Sequence, residues 1–133
     1  MAYLLDTNAW IVYLKSPASP IKSRLANLTP RDVRLCSIVK AELLHGAEKY
    51  GNRERRLSIL NQLFAPYTSL PFDDAAAHAY SRTRHELEVL GIAIGPHDLM
   101  IAAIALAHNL IVVTHNTAEF SRVPGLQTVD WES

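Results

Sequence analysis

The stretch that decides the fold is "PHDLMIAAIALAHNLIVVT", Pro96 to Thr114. Proline in a first turn, followed by alanines, leucines and a methionine, predicts a helix over Pro96 to Asn109. "LIVVT", Leu110 to Thr114, is apolar at successive positions, which predicts a strand buried on both faces. Almost no loop separates the two, so they must run antiparallel. The chain travels roughly 15 Å from Asp98 to His108, at about 1.5 Å per residue. It climbs back roughly 15 Å over "LIVVT", at about 3.3 Å per residue. Thr114 to Asn116 therefore return to the level of Asp98.

The same alternation runs through the rest of the chain. Ala2 to Leu5, Val33 to Ser37 and Gln127 to Trp131 read as strands, with Tyr67 to Leu70 as a short edge strand. Helices are predicted over Asn8 to Lys15, Ile21 to Leu28, Ile38 to Tyr50, Arg53 to Phe64 and Asp73 to Leu90. Asp73 serves as an N-cap and "GN" at 51–52 as a helix stop. "SPASP" (16–20) and "LTPRD" (28–32) read as turns. Apolar strands alternating with helices predict an α/β fold in three layers, with a mostly parallel, twisted central sheet covered on both faces.

Composition narrows the function classes. The 133 residues are 49% hydrophobic and 20% charged, with zero formal net charge. That suits one domain spanning residues 1–133, and a nucleic-acid partner must then be held by local patches, not bulk charge. Cys36 is the only cysteine, which excludes an internal disulfide and points to a reducing compartment. Its place in "RLCSI" predicts a buried residue. No targeting segment is visible. The longest apolar stretch, Leu99 to Ala107, falls short of the roughly 20 residues that span a bilayer, so a cytoplasmic location is expected.

Four polar positions fall on one rim of this sheet. Asp6 ends the first strand, in "YLLDTNAWI". Glu42 lies one turn into the helix after the second strand, Asp98 in the first turn of the Pro96 helix, and Asn116 just past "LIVVT". Ligands of open parallel sheets bind beyond the carboxyl ends of the strands. Three converging carboxylates repel one another and resist ionising. A hard divalent cation, Mg²⁺ or Mn²⁺, resolves the conflict and binds phosphate oxygens. Such a site suits metal-assisted hydrolysis of a nucleic-acid backbone. Each acid also has a plainer reading: Asp6 as a helix cap, Asp98 as a first-turn acid facing the helix dipole, Glu42 as a surface residue. It is their shared rim that favours chemistry.

With those residues in hand, the chain resembles the PIN-domain ribonucleases, specifically the VapC toxins of type II toxin–antitoxin pairs. The matching pieces, in the family's order, are "LLDTN", "SIVKAELLHGAEK", "GIAIGPHDLMIAAIA", "LIVVTHNTAEFSRVPGL" and the late "DW". The resemblance implies a PIN-like fold and a toxic, Mg²⁺-dependent endoribonuclease whose acids are Asp6, Glu42 and Asp98. Asn116 takes the place where a fourth acid is common. Its amide offers an oxygen but no charge, which argues against a firmly held second metal. Glu119 is nearby, although a role in a short helix or turn is the expectation. Thr7 and Asn8 would orient Asp6, with Ser37 and Thr114 as further hydrogen-bond support. The resemblance also implies structured RNA, especially tRNA, as substrate. It implies inhibition by a VapB-type antitoxin covering the active-site groove, a toxin homodimer and a toxin–antitoxin hetero-oligomer.

Other features carry plainer expectations. None of the six histidines makes the close helical pair of a zinc site; His97 and His115 adjoin the rim as solvated residues. Arg53, Arg55 and Arg56, and Arg82 and Arg84, read as solvated faces. Trp10, Val12, Tyr13 and Leu14 read as core or dimer packing, and Trp131 as a residue that closes the core. Two rival functions are an aspartate-nucleophile phosphatase, whose start "DTN" also fits, and a receiver-like binding module with an acceptor aspartate. Both want a late lysine, and none follows Lys49. A PIN fold kept only for binding is a third alternative, which the intact acids disfavour.

Overall fold

The computed structural model describes residues 1–132. Five short strands form one sheet: β1 (Tyr3–Leu5), β2 (Val33–Cys36), β3 (Thr68–Leu70), β4 (Ile111–Val113) and β5 (Gln127–Val129). All neighbouring pairs are parallel, in the order β3-β2-β1-β4-β5. The helices are α1 (Thr7–Lys15), α2 (Pro20–Ala26), α3 (Ser37–Lys49), α4 (Arg53–Phe64), α5 (Asp74–Val89), α6 (Pro96–Ala107) and α7 (Thr117–Phe120). Successive residues Leu4 and Leu5 of β1, and Val112 and Val113 of β4, are all buried. Successive side chains of a strand point to opposite faces, so both faces of the sheet are covered. The expected three-layer α/β fold is what forms.

The strand order reverses direction between β1 and β4. This is the switch point at which open α/β sheets place their ligands. β1 sits at the centre, with Leu4 in register with Arg34 on one side and Val112 on the other. Asp6 continues that pairing by donating its backbone N–H to the Val113 carbonyl at 3.0 Å.

The tight α6–β4 joint is made by Asn109, whose φ of 54° is left-handed, a conformation asparagine tolerates at a helix C-terminus. Leu110, expected in the strand, instead donates its N–H to Ala105 and closes the helix. Ser37, also expected in a strand, opens α3. β5 stops at Val129, before Trp131. The "LTPRD" turn contains a 3₁₀ turn, Pro30–Asp32, in which Asp32 accepts from the Thr29 N–H.

The core forms around Trp10, which is fully buried and meets the rings of Tyr13 and Tyr67 at 5.5 and 5.6 Å. Trp131 packs on Tyr3 at 5.1 Å and closes the β1 side, as expected. Cys36 is buried too, and burial pushes its thiol pKa up. Leu14 departs from expectation: it is exposed at the end of α1. Small buried residues on α5, Ala76, Ala79 and Thr83, let this helix lie close against α6. Asp73 caps α5 by accepting the Ala76 N–H at 3.0 Å. Asp73→Ala is expected to cost about 1 kcal/mol and to lower the melting temperature by roughly 4 °C in a thermal melt. Among the described residues, no helix is long and apolar enough to cross a membrane.

Candidate active site

The end of β1 brings Asp6 to the switch point, where it is both cap and acid. Its Oδ1 accepts the Ala9 N–H at 2.8 Å, starting α1. Yet it is only 4% exposed. Burial pushes its carboxyl pKa upward, hydrogen bonds from Thr114 and Ala9 pull it back, and the charges of Glu132 and Glu42 add to the rise. A cap residue needs no such burial. The price of holding this carboxylate in an apolar setting marks it as more than punctuation.

Glu42 reaches the same rim from the second turn of α3. The Thr7 hydroxyl donates to its Oε1 at 2.5 Å. Its Oε2 lies 3.3 Å from His97 Nδ1. The Glu42 carboxylate is thus held between α1 and α6, the helices that present the other acids. The side chain is 30% exposed and engaged on both oxygens.

Asp98, in the first turn of α6, is pushed up to about 7. Burial is the main cause, then a hydrogen bond with Glu119, then the charges of Glu119, Asp6 and Glu42. The three expected acids therefore sense one another across elements that are far apart in sequence. A first-turn acid serving the helix dipole alone would be lowered, not raised.

Glu119, expected near the site with a role in a short helix or turn, has both. It lies in the short α7, but its Oε1 accepts the Gly95 N–H at 2.7 Å and its carboxylate faces Asp98. Asn116 comes to the rim as expected, and there its amide nitrogen donates to Glu119 Oε2 at 2.5 Å. The fourth negative charge of the rim thus stands three residues beyond the expected position. The signal was the helical spacing itself: residues i and i+3 share a face.

The supporting residues divide. Thr7 holds Glu42, and Thr114, buried, hydrogen-bonds Asp6 and accepts the Asn116 N–H at 2.9 Å. Asn8 is exposed on α1, facing a cavity beside the rim. Ser37 turns away: its hydroxyl donates to the Leu70 carbonyl of β3 at 3.5 Å.

The donor set suits a hard divalent cation, since it is made of carboxylate oxygens, and burial, the Glu119 hydrogen bond and the neighbouring charges together push Asp98 up to about 7. The acids are not drawn tight. Among the described residues, the group of three side chains with ligand atoms all within 4.8 Å is His115, Asp130 and Glu132. His115 Nδ1 lies 3.0 Å from Asp130 Oδ2.

Two recesses adjoin Glu42. A cavity of about 510 Å³ lies where α1, α3 and α6 meet. A groove of about 580 Å³ runs on between α1, α3 and α4, with Ile11, Leu14, Leu43 and Leu60 along it and Lys15, Lys49 and Arg56 at its rim. The basic residues behave mostly as solvated faces: Arg53 pairs with Glu48 at 2.6 Å and Arg84 with Glu88 at 3.6 Å.

A parallel α/β sheet with a buried Asp6 and the half-buried Glu42 and Asp98 at its switch point has the build of a metal-dependent hydrolase. The PIN domain model matches residues 3–126. The chain belongs to the PIN-domain family, among its VapC proteins. It is 38% identical to the tRNA(fMet)-specific endonuclease VapC of Shigella flexneri over 131 residues, covering 98% of each chain. It overlays the DNA-bound VapBC structure from Salmonella typhimurium with a TM-score of 0.92 at 37% identity, covering 98% of each chain. VapBC-1 from nontypeable Haemophilus influenzae superposes with a TM-score of 0.90 at 34% identity over the whole of both chains.

Proposed function

We propose that this chain is the toxic endoribonuclease of a type II toxin–antitoxin pair, cleaving RNA, with tRNA as its substrate. The observation that carries this reading is the convergence of Asp6, Glu42 and Asp98 on one rim, where the charges of Asp6 and Glu42 add to the burial and the Glu119 contact that push Asp98 up to about 7. Relatives named as VapC ribonucleases at 33–38% identity support it. Asp6, Glu42 and Asp98 would hold Mg²⁺, with Mn²⁺ as the alternative, and Glu119 stands beside Asp98 to share the load. When bound, the cation would polarise the phosphodiester and help generate the attacking hydroxide.

The chain's own residues do the rest. Ala9 and Thr114 fix the Asp6 oxygens. Thr7 and His97 orient Glu42. Gly95 and Asn116 aim Glu119 at Asp98. Because Asp6, Glu42 and Glu119 are each held by two partners, the site is assembled before substrate arrives, which lowers the cost of reorganisation.

The partner is a VapB-type antitoxin, in keeping with the VapBC complexes the fold matches. The groove between α1, α3 and α4 suits it: apolar along its length, cationic at the rim, and ending at Glu42. The chain acts as one domain, in the cytoplasm, as a homodimer within a toxin–antitoxin hetero-oligomer.

The test incubates purified protein with a tRNA pool, with and without Mg²⁺, alongside Asp6→Ala. Metal-dependent cleavage by the wild type and none by the variant is the expected result. Equal cleavage by both would overturn the assignment. Expression should arrest growth, and co-expression of a small DNA-binding partner from the adjacent gene should relieve it.

A further inference from the structure

We propose that the cavity at the junction of α1, α3 and α6 receives one nucleobase of the RNA, next to the phosphodiester that is cut. This rests on the ribonuclease reading above and adds a specificity pocket to it. Each helix turns one face to the cavity at helical spacing: Asn8 and Ile11 from α1, Ile38 and His45 from α3, His97 and Met100 from α6. Its volume, about 510 Å³, lies in the range of small-ligand sites, roughly 300–1,000 Å³.

The lining chemistry selects the occupant. Ile11, Ile38 and Met100 offer apolar surface, while Asn8, His45 and His97 offer donors and acceptors at the edge. No lysine or arginine lines the cavity, and Glu42 borders it. A phosphate placed there would meet a carboxylate and no cation. A neutral, planar base would cover its faces with apolar side chains and the imidazoles and hydrogen-bond at its edge, as unstacked RNA bases do. The contact between His97 Nδ1 and Glu42, at 3.3 Å, holds that ring at the mouth of the cavity. Glu42 belongs to both the cavity and the acid rim, so a base lodged here sits on a nucleotide adjoining the reacting phosphate. The apolar groove toward α4 has Lys15, Lys49 and Arg56 among its lining residues, and is the better match for the protein partner.

The test is a coupling measurement. Ala41, exposed on α3 and lining the cavity, is replaced in Ala41→Trp, which fills the space from a helical position that tolerates a large side chain. A short RNA carrying the mapped cut site is made with single abasic nucleotides on either side of the cut. Affinity is read by fluorescence anisotropy in EDTA, and cleavage with Mg²⁺. One abasic position should weaken wild-type binding roughly tenfold, the scale of a lost base contact. Ala41→Trp should cause a similar loss, and the two together no further loss, because they remove the same contact. The milder Ala41→Leu should give a smaller loss in the same direction. Losses that multiply at every abasic position would overturn the pocket while leaving the ribonuclease reading intact. So would unchanged RNA affinity with weakened inhibition by the antitoxin, which would assign the cavity to the partner. Failure of the wild type to cut any RNA would overturn both.

Discussion

Asp98→Asn is expected to cripple RNA cleavage and, in the metal-free protein, to raise the melting temperature. Both outcomes follow from one geometry. Asp98 is partly buried, hydrogen-bonded to Glu119 and crowded by the charges of Glu119, Asp6 and Glu42. At pH 8 it is ionised against all three, and the fold bears that repulsion. Asparagine keeps the shape, removes one charge and supplies an N–H for Glu119. The metal-free variant should melt about 4 °C higher at pH 8, the shift that roughly 1 kcal/mol gives a chain of this size. Cleavage should fall by roughly 10²- to 10³-fold, the scale of losing one preorganised electrostatic group. Adding Mn²⁺ should stabilise the wild type and leave the variant nearly unmoved. A variant that loses both activity and stability would show that Asp98 is a structural residue. Trading stability for function in this way is common at active sites.

The second large effect is on pH dependence. Asp98 loses its proton near 3.8 when free and near 7 in the folded chain. Between those values the folded state holds a proton that the unfolded state has released. Stability of the metal-free protein must therefore fall as pH rises from about 4 to about 7, and level off above that. Burial of Asp6 acts in the same direction. A divalent cation competes for the same oxygens, so its affinity should run the opposite way. Below pH 7 the dissociation constant for Mn²⁺ should weaken about tenfold for each unit of acidification, because one proton must leave as the ion binds. Calorimetric titrations between pH 5.5 and 8 would show a slope that flattens above 7 and is lost in Asp98→Asn. An affinity independent of pH across that window would remove Asp98 from the ligand set.

Much of this could be read along the chain. "LIVVT" announces a two-sided strand because its residues are apolar at every position, and periodicity reports burial directly. The brief link from Asn109 to Leu110 forces the return that brings Asn116 to the level of Asp98; chain geometry alone requires it. Asp6, Glu42 and Asp98 could be assigned to one rim because strand ends and helix starts coincide in a parallel α/β sheet.

Other features could not be read in this way. Glu119 faces Asp98 while Asn116 merely supports it, and Ser37 turns toward Leu70 instead of the acids. His115 meets Asp130 and Glu132 across fifteen or more residues of chain. Leu14, apolar and on a helix, remains exposed. Periodicity and strand ends set which residues stand at the rim, because they depend on neighbours along the chain. Which oxygen faces which partner depends on the rotation and packing of separate helices, and a shift of one or two ångströms there makes or breaks a hydrogen bond.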